Sequence, residues 1–110
     1  MTCPFCEYGA TGPFLAGDAH AFVIEPLEPV VPGHVLVIPR VHVEDFTEDF
    51  AVSMAVMKTA AMYAWSHLGD CNLITSRGSA ATQTVRHLHV HLVPRFAGDG
   101  LRLPWTPGLS

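Results

Sequence analysis

The sequence predicts an α+β fold: an antiparallel sheet of about five strands with one main helix packed on it. Three observations carry that prediction. Short apolar runs fall before and after a single long helical pattern, and strands, then helix, then strands favours an antiparallel sheet. Large apolar side chains recur at three- and four-residue spacing through residues 50–68. Residues 85–93 alternate in character from one position to the next, which is the period of a strand.

Taken in order, residues 1–18 hold a Cys-x-x-Cys and scattered Gly and Pro, and read as loop ending in a short strand. His20-Ala21-Phe22-Val23-Ile24 is apolar and partly β-branched, a strand that Pro26, Pro29, Pro32 and Gly33 bring to an end. Val35-Leu36-Val37-Ile38 is a second strand, closed by Pro39. Its unbroken apolar run predicts burial on both faces. Thr47 is the expected helix N-cap, with Glu48 and Asp49 in the first turn. The helix then carries Phe50, Met54, Met57, Ala61 and Trp65 to about Leu68-Gly69. Cys71 to Thr75 is the next strand, Gly78 to Thr82 a small-residue loop, and Val85 to Val93 the last strand. Gly98 to Ser110 is a Gly/Pro-rich tail with one large aromatic, Trp105.

The chain has 110 residues, the size of one domain over 1–110, and 49% of them are apolar. Six Lys+Arg stand against ten Asp+Glu, a net charge of -4, which is no footprint for bulk nucleic-acid binding. No apolar run reaches the ~20 residues a membrane span requires. Met1 to Gly12 has no basic stretch followed by an apolar one, as a signal peptide would. Cysteines number three, and two of them form Cys3-Pro4-Phe5-Cys6. In a reducing compartment such a pair is a metal half-site or a redox pair, and a cytoplasmic location is the working expectation.

Three of the seven histidines fall within His87-Leu88-His89-Val90-His91. On a strand, alternate side chains share a face, so the imidazoles line one side and the aliphatic residues the other. A merely polar surface is a poor account of that concentration. Imidazoles bind metals, and near neutral pH they also act as nucleophiles and proton donors. One shared catalytic ion is excluded, because the outer two residues lie ~13 Å apart along a strand, too far for bonds of about 2 Å. A second cluster, Pro32-Gly33-His34, leads the strand that ends Pro39-Arg40-Val41-His42. A third, Gln83-Thr84-Val85, stands before the histidines. Its amide and hydroxyl, with N–H groups of the Gly78–Thr82 loop, suit a phosphate. Cys71, at the head of an apolar strand, reads as a core thiol.

These ordered motifs, spanning residues 3 to 95, resemble the histidine-triad family of nucleotide hydrolases and transferases. The His-x-His-x-His strand, the string from Pro32 to His42, and Gln83-Thr84-Val85 are similar to its signatures. Cys3-Pro4-Phe5-Cys6 is similar to the N-terminus of its zinc-containing members. The resemblance implies that His89 attacks the α-phosphorus of a nucleotide and forms a nucleotidyl-histidine, that His91 contacts the phosphate and assists the leaving group, and that His34 lies beside the nucleophile. It implies that Gln83 and Thr84 donate to phosphate oxygens. It also implies that Cys3, Cys6, His42 and His87 hold a structural zinc, the two cysteines coming from a knuckle-like segment over 1–18. Two positions depart from the family pattern. Pro26 stands where an Asp commonly binds the ribose, with Glu25 adjacent, and Ser76-Arg77 stands where an Asn is usual. Glu25 and Ser76 are therefore the candidate nucleotide contacts there. Arg86 replaces a common aromatic and reads as a solvent-facing strand residue.

The expected activity is hydrolysis of, or nucleotidyl transfer from, a dinucleoside polyphosphate or nucleoside phosphoramidate, with a purine nucleotide as substrate. The alternative is a non-catalytic nucleotide-binding module with a structural zinc. Many family members are two-fold dimers, and Met54, Met57, Met62, Tyr63 and Trp65 around the helix suit a homodimer.

Overall fold

The structure, a computed structural model, describes residues 3–106. Its sheet has five strands: β1 (Ala16–Gly17), β2 (Ala21–Ile24), β3 (Val35–Pro39), β4 (Cys71–Ile74) and β5 (Val90–Pro94). They lie in the order β1-β2-β3-β5-β4, every neighbouring pair antiparallel. Two helices accompany them, α1 (Pro4–Thr11) and α2 (Phe50–His67). The expected α+β architecture is thus present, and β5, the histidine strand, sits between β3 and β4.

The unbroken apolar run of β3 is explained by cover on both faces, and all five of its residues are buried. Val35 and Val37 pack with Val56 and Ala60 of α2, together with Leu88, Val90 and Leu92. Leu36 and Ile38 face the other way, with Phe22 and Ile24, and meet Phe5 and Tyr8 of α1. The alternation through β5 is therefore a division of labour. Its aliphatic residues complete the α2 core, and His91, paired in register with Leu36, lies on the α1 side.

Four expectations are corrected. Residues 4–11 form a helix, not a loop. Pro4 occupies its first turn with φ already suited to a helix, and the Cys3 Sγ accepts the Cys6 N–H at 3.4 Å. The segment offers only Phe5 and Tyr8 at helical spacing, too short a pattern to mark a helix, so its docking on the sheet reveals it. The N-cap of α2 is Asp49, not Thr47. The Asp49 carboxylate accepts the N–H groups of Ala51 and Val52, whereas the Thr47 hydroxyl is spent on Asp45 at 2.6 Å. The large apolar residues whose spacing marks α2 face outward, with Phe50, Met54, Met57 and Trp65 all exposed. The core stripe consists mostly of smaller residues, Val52, Val56, Ala60 and Ala64, with Tyr63 beside them.

The fourth correction concerns the histidine strand, which starts at Val90 and not at Val85. Extending the β3–β5 register beyond Val37–Val90 would set Pro39 opposite Leu88, and Pro39 has no N–H to offer. Residues 85–89 are held instead by separate bonds. The Leu88 N–H reaches the Val43 carbonyl at 2.8 Å, and the Gln83 amide reaches the Val85 carbonyl. The Thr75 hydroxyl takes the His89 carbonyl at 2.7 Å. Gly78 to Thr82, expected as loop, contains one 3-10 turn at Ser79–Ala81. Of the tail expected over 98–110, residues 107–110 lie outside the described residues, as do residues 1–2.

Candidate functional site

The irregular backbone before β5 sets the chemistry of His89. Its Nδ1 lies 2.8 Å from the carbonyl oxygen of His87. A carbonyl only accepts, so Nδ1 carries the proton and Nε2 keeps its lone pair. A second chain of bonds runs through His34, which is buried. The Val30 N–H donates to His34 Nδ1 at 3.0 Å, so the proton of that ring is on Nε2. His34 Nε2 lies 3.0 Å from His91 Nδ1, which must then accept, leaving His91 with an N–H at Nε2. Burial lowers the pKa of His34. Burial, followed by the nearby His89 and His34, pushes that of His91 down to about 4. His91 is therefore a neutral donor at pH 7. Its ring stands 5.3 Å from that of His89, centroid to centroid. A bare ring nitrogen beside a ring N–H suits attack at an electrophile with simultaneous hydrogen bonding to it.

His34 is set against His91, whose ring in turn meets that of His89. Gln83 is buried, and its amide is fully engaged by the protein. Its oxygen accepts from the Gly78 N–H (2.9 Å) and Arg86 Nη1 (3.1 Å), and its nitrogen donates to the carbonyls of Glu44 (2.7 Å) and Val85 (3.1 Å). Gln83 therefore shapes the loop before the histidines. Arg86 is exposed, as expected, but it precedes β5 and braces the same loop through Gln83 and the Ser79 hydroxyl. Thr84 is exposed, Ser76 is half-buried just beyond β4, and Glu25 is exposed just beyond β2.

The four candidate metal ligands converge. One donor atom from each of Cys3, Cys6, His42 and His87 lies within 4.8 Å of all the others. Cys3 Sγ is 3.3 Å and Cys6 Sγ 3.5 Å from His87 Nδ1. His42 Nδ1 is 3.2 Å from Cys6 Sγ and 3.1 Å from His87 Nδ1. Bonds of 2.0–2.3 Å to one tetrahedral ion place ligand atoms about 3.3–3.8 Å apart, close to these four separations of 3.1–3.5 Å. The second nitrogen of His87 points away and donates to the Pro39 carbonyl at 2.9 Å, which turns the Nδ1 lone pair toward the sulfurs.

Phe5 was not singled out by the sequence, where it appears only as a spacer between two cysteines. In the fold its ring stands edge-on to His89 at 5.0 Å and to His87 at 5.9 Å, a wall carried on α1.

A family model described as HIT domain matches residues 11–98. The chain belongs to that family. The HIT protein of Bacillus subtilis is 34% identical over 96 residues, covering 80% of this chain and 66% of its own length. A bifunctional bis(5'-adenosyl)-triphosphatase/adenylylsulfatase, FHIT, of Arabidopsis thaliana is 33% identical over 107 residues, covering 86% of this chain and 59% of its own. The chain thus spans somewhat less than two thirds of these two relatives. Among solved structures, a zinc-bound histidine triad family protein from Mycobacterium smegmatis superposes with a TM-score of 0.78 at 32% identity. That match covers 97% of this chain and 84% of the other. A HIT family hydrolase from Clostridium thermocellum gives the same TM-score at 29% identity, covering 93% and 97%. Some HIT proteins are therefore nucleotide hydrolases, and this HIT chain carries a four-residue cluster able to hold a metal. Among its described residues no helix is long and apolar enough to cross a membrane.

Proposed function

We propose that this HIT protein transfers or hydrolyses the nucleotidyl group of a purine dinucleoside polyphosphate or nucleoside phosphoramidate through His89. The observation that carries the reading is the bond from His89 Nδ1 to the His87 carbonyl, which keeps Nε2 unprotonated and nucleophilic. In the first step the Nε2 lone pair attacks the α-phosphorus, an N–P bond forms, and the bond from phosphorus to the leaving group breaks. His91, with its N–H at Nε2, donates to a phosphate oxygen or to the leaving atom, oxygen in a polyphosphate and nitrogen in a phosphoramidate, as charge develops. In the second step water attacks phosphorus and gives up a proton to solvent, the N–P bond breaks, and its electron pair returns to Nε2 as nucleoside monophosphate leaves. His34 holds His91 in the donating tautomer. Thr84, Ser76 and Glu25 are the proposed nucleotide contacts. Gln83 acts on the phosphate indirectly, through the loop it braces.

Cys3, Cys6, His42 and His87 are proposed to hold zinc. Four protein ligands fill a tetrahedral shell, so such an ion supports the fold and leaves no open position for substrate. The exposed apolar face of α2 is proposed to pair with a second copy of the chain.

Incubation with diadenosine tetraphosphate or a purine nucleoside phosphoramidate should release monophosphate, and His89→Ala should reduce the rate at least ~10³-fold. Trapped wild-type protein should gain the mass of one nucleotidyl group on His89. Turnover that survives in His89→Ala rejects His89 as nucleophile. One observation favours a second reading, a nucleotide-binding module without turnover: the Gln83 amide is wholly engaged by the protein. Tight monophosphate binding with no release from any of these substrates would select it.

A further inference from the structure

His89 stands one residue before β5 begins, where no strand ladder holds it. Continuing the β4–β5 register past Ile74–His91 would set Ser76 opposite His89, but the pairing stops at that last pair. The carbonyl of His89 is taken by a side chain instead, the Thr75 hydroxyl, at 2.7 Å. Thr75 lies one residue beyond β4, half-buried, and it lines an apolar cavity of about 200 Å3 with Leu73, Leu88 and Val90. Its hydroxyl therefore performs on the nucleophile's peptide what a ladder bond does elsewhere in the sheet.

The His89 ring depends on that peptide. Its tautomer is set by a short local bond, Nδ1–H to the carbonyl two residues earlier, and that bond needs the His89 backbone in one orientation. Leu88 N–H to Val43 holds the His87–Leu88 peptide, whose carbonyl is the acceptor, and Thr75 holds the carbonyl on the other side of His89, just before the ladder resumes at Val90. Ring contacts with Phe5 and His91 limit rotation but do not decide which nitrogen is protonated.

We infer that Thr75 is a positioning residue for the nucleophile, holding the His89 carbonyl so that the ring presents an unprotonated Nε2. The inference rests on the proposed role of His89 only for its effect on turnover, since the tautomer is observable without substrate.

Thr75→Val keeps the shape and removes the hydroxyl, and Thr75→Ser keeps the hydroxyl. The full-length chain is labelled with ¹⁵N, and the His89 ring is followed by long-range ¹H–¹⁵N correlation at pH 7.5. The wild type and Thr75→Ser should show one tautomer, with the proton on Nδ1, and Thr75→Val a mixture of both. With a purine nucleoside phosphoramidate, Thr75→Val should lower kcat about tenfold with KM within about twofold, as loss of alignment does, and Thr75→Ser should restore most of kcat. An unchanged His89 tautomer in Thr75→Val overturns the inference whatever the activity. Wild-type protein with no turnover, but with the tautomer shift present, overturns the enzymatic reading and leaves the positioning role standing.

Discussion

His91 offers the most direct handle at the scale of single residues. Burial and its histidine neighbours lower its pKa to about 4, against an ordinary value of 6.5. A histidine depressed in the folded state binds its proton more readily when unfolded. Its contribution to stability is therefore complete above pH 6.5 and is lost progressively as the pH falls from 6.5 toward 4. Between pH 8 and pH 5 the loss from this one group amounts to about 2 kcal/mol. His34, lowered by burial, acts in the same direction. Urea unfolding at the two pH values should show the fall, and His91→Gln should make it smaller. An identical pH dependence in that variant contradicts the assignment.

Among the elements, α1 has the least intrinsic support. It is eight residues long, buries none of them fully, and contains Gly9. A helix of that length does not persist alone in water. Phe5 and Tyr8 rest on the sheet, while Cys3 and Cys6 bring its first turn to His42 and His87. Because Phe5 also meets the His89 ring, the docking of α1 bears on the reacting residue. Removing metal with a chelator, or making Cys6→Ser, should raise amide hydrogen exchange across residues 4–11 while α2 stays protected, since metal binding energy stabilises what it ties together. Protection of 4–11 that survives chelation would show that packing alone docks the helix.

The whole molecule is shaped by an imbalance between its two faces. On α2, Phe50 is 77%, Met54 73% and Trp65 89% exposed, and Met57 lies beside them at 53%. Leu73 and Ile74 of β4, at the sheet edge, are also exposed. Aromatic residues and methionine on such a surface are characteristic of interface cores. Light scattering after gel filtration should give the mass of two chains at micromolar concentration, and Met57→Glu should give one. A wild-type monomer under those conditions removes the dimer.

The order of elements and the core strands followed from the sequence: unbroken apolar runs buried on both faces marked β2 and β3, and the 3.6-residue spacing over 50–68 marked α2, although the residues that show it face outward. His87, His89 and His91 were legible as a concentration of imidazoles at alternate positions, although only His91 lies on the strand itself. Four further features depended on the tertiary structure. They are the helical state of residues 4–11, the small-residue face of α2 that meets the sheet, the start of β5 at Val90, and the partners of Gln83 and His34. Each is decided by contacts between residues distant in sequence, such as Phe5 with His89, Pro39 with His87, Glu44 with Gln83, and Thr75 with His89. Sequence spacing reports which way a side chain points along its own element. It does not report which group from another element will meet it, and such meetings set the tautomers of His91, through His34, and of His87, through Pro39.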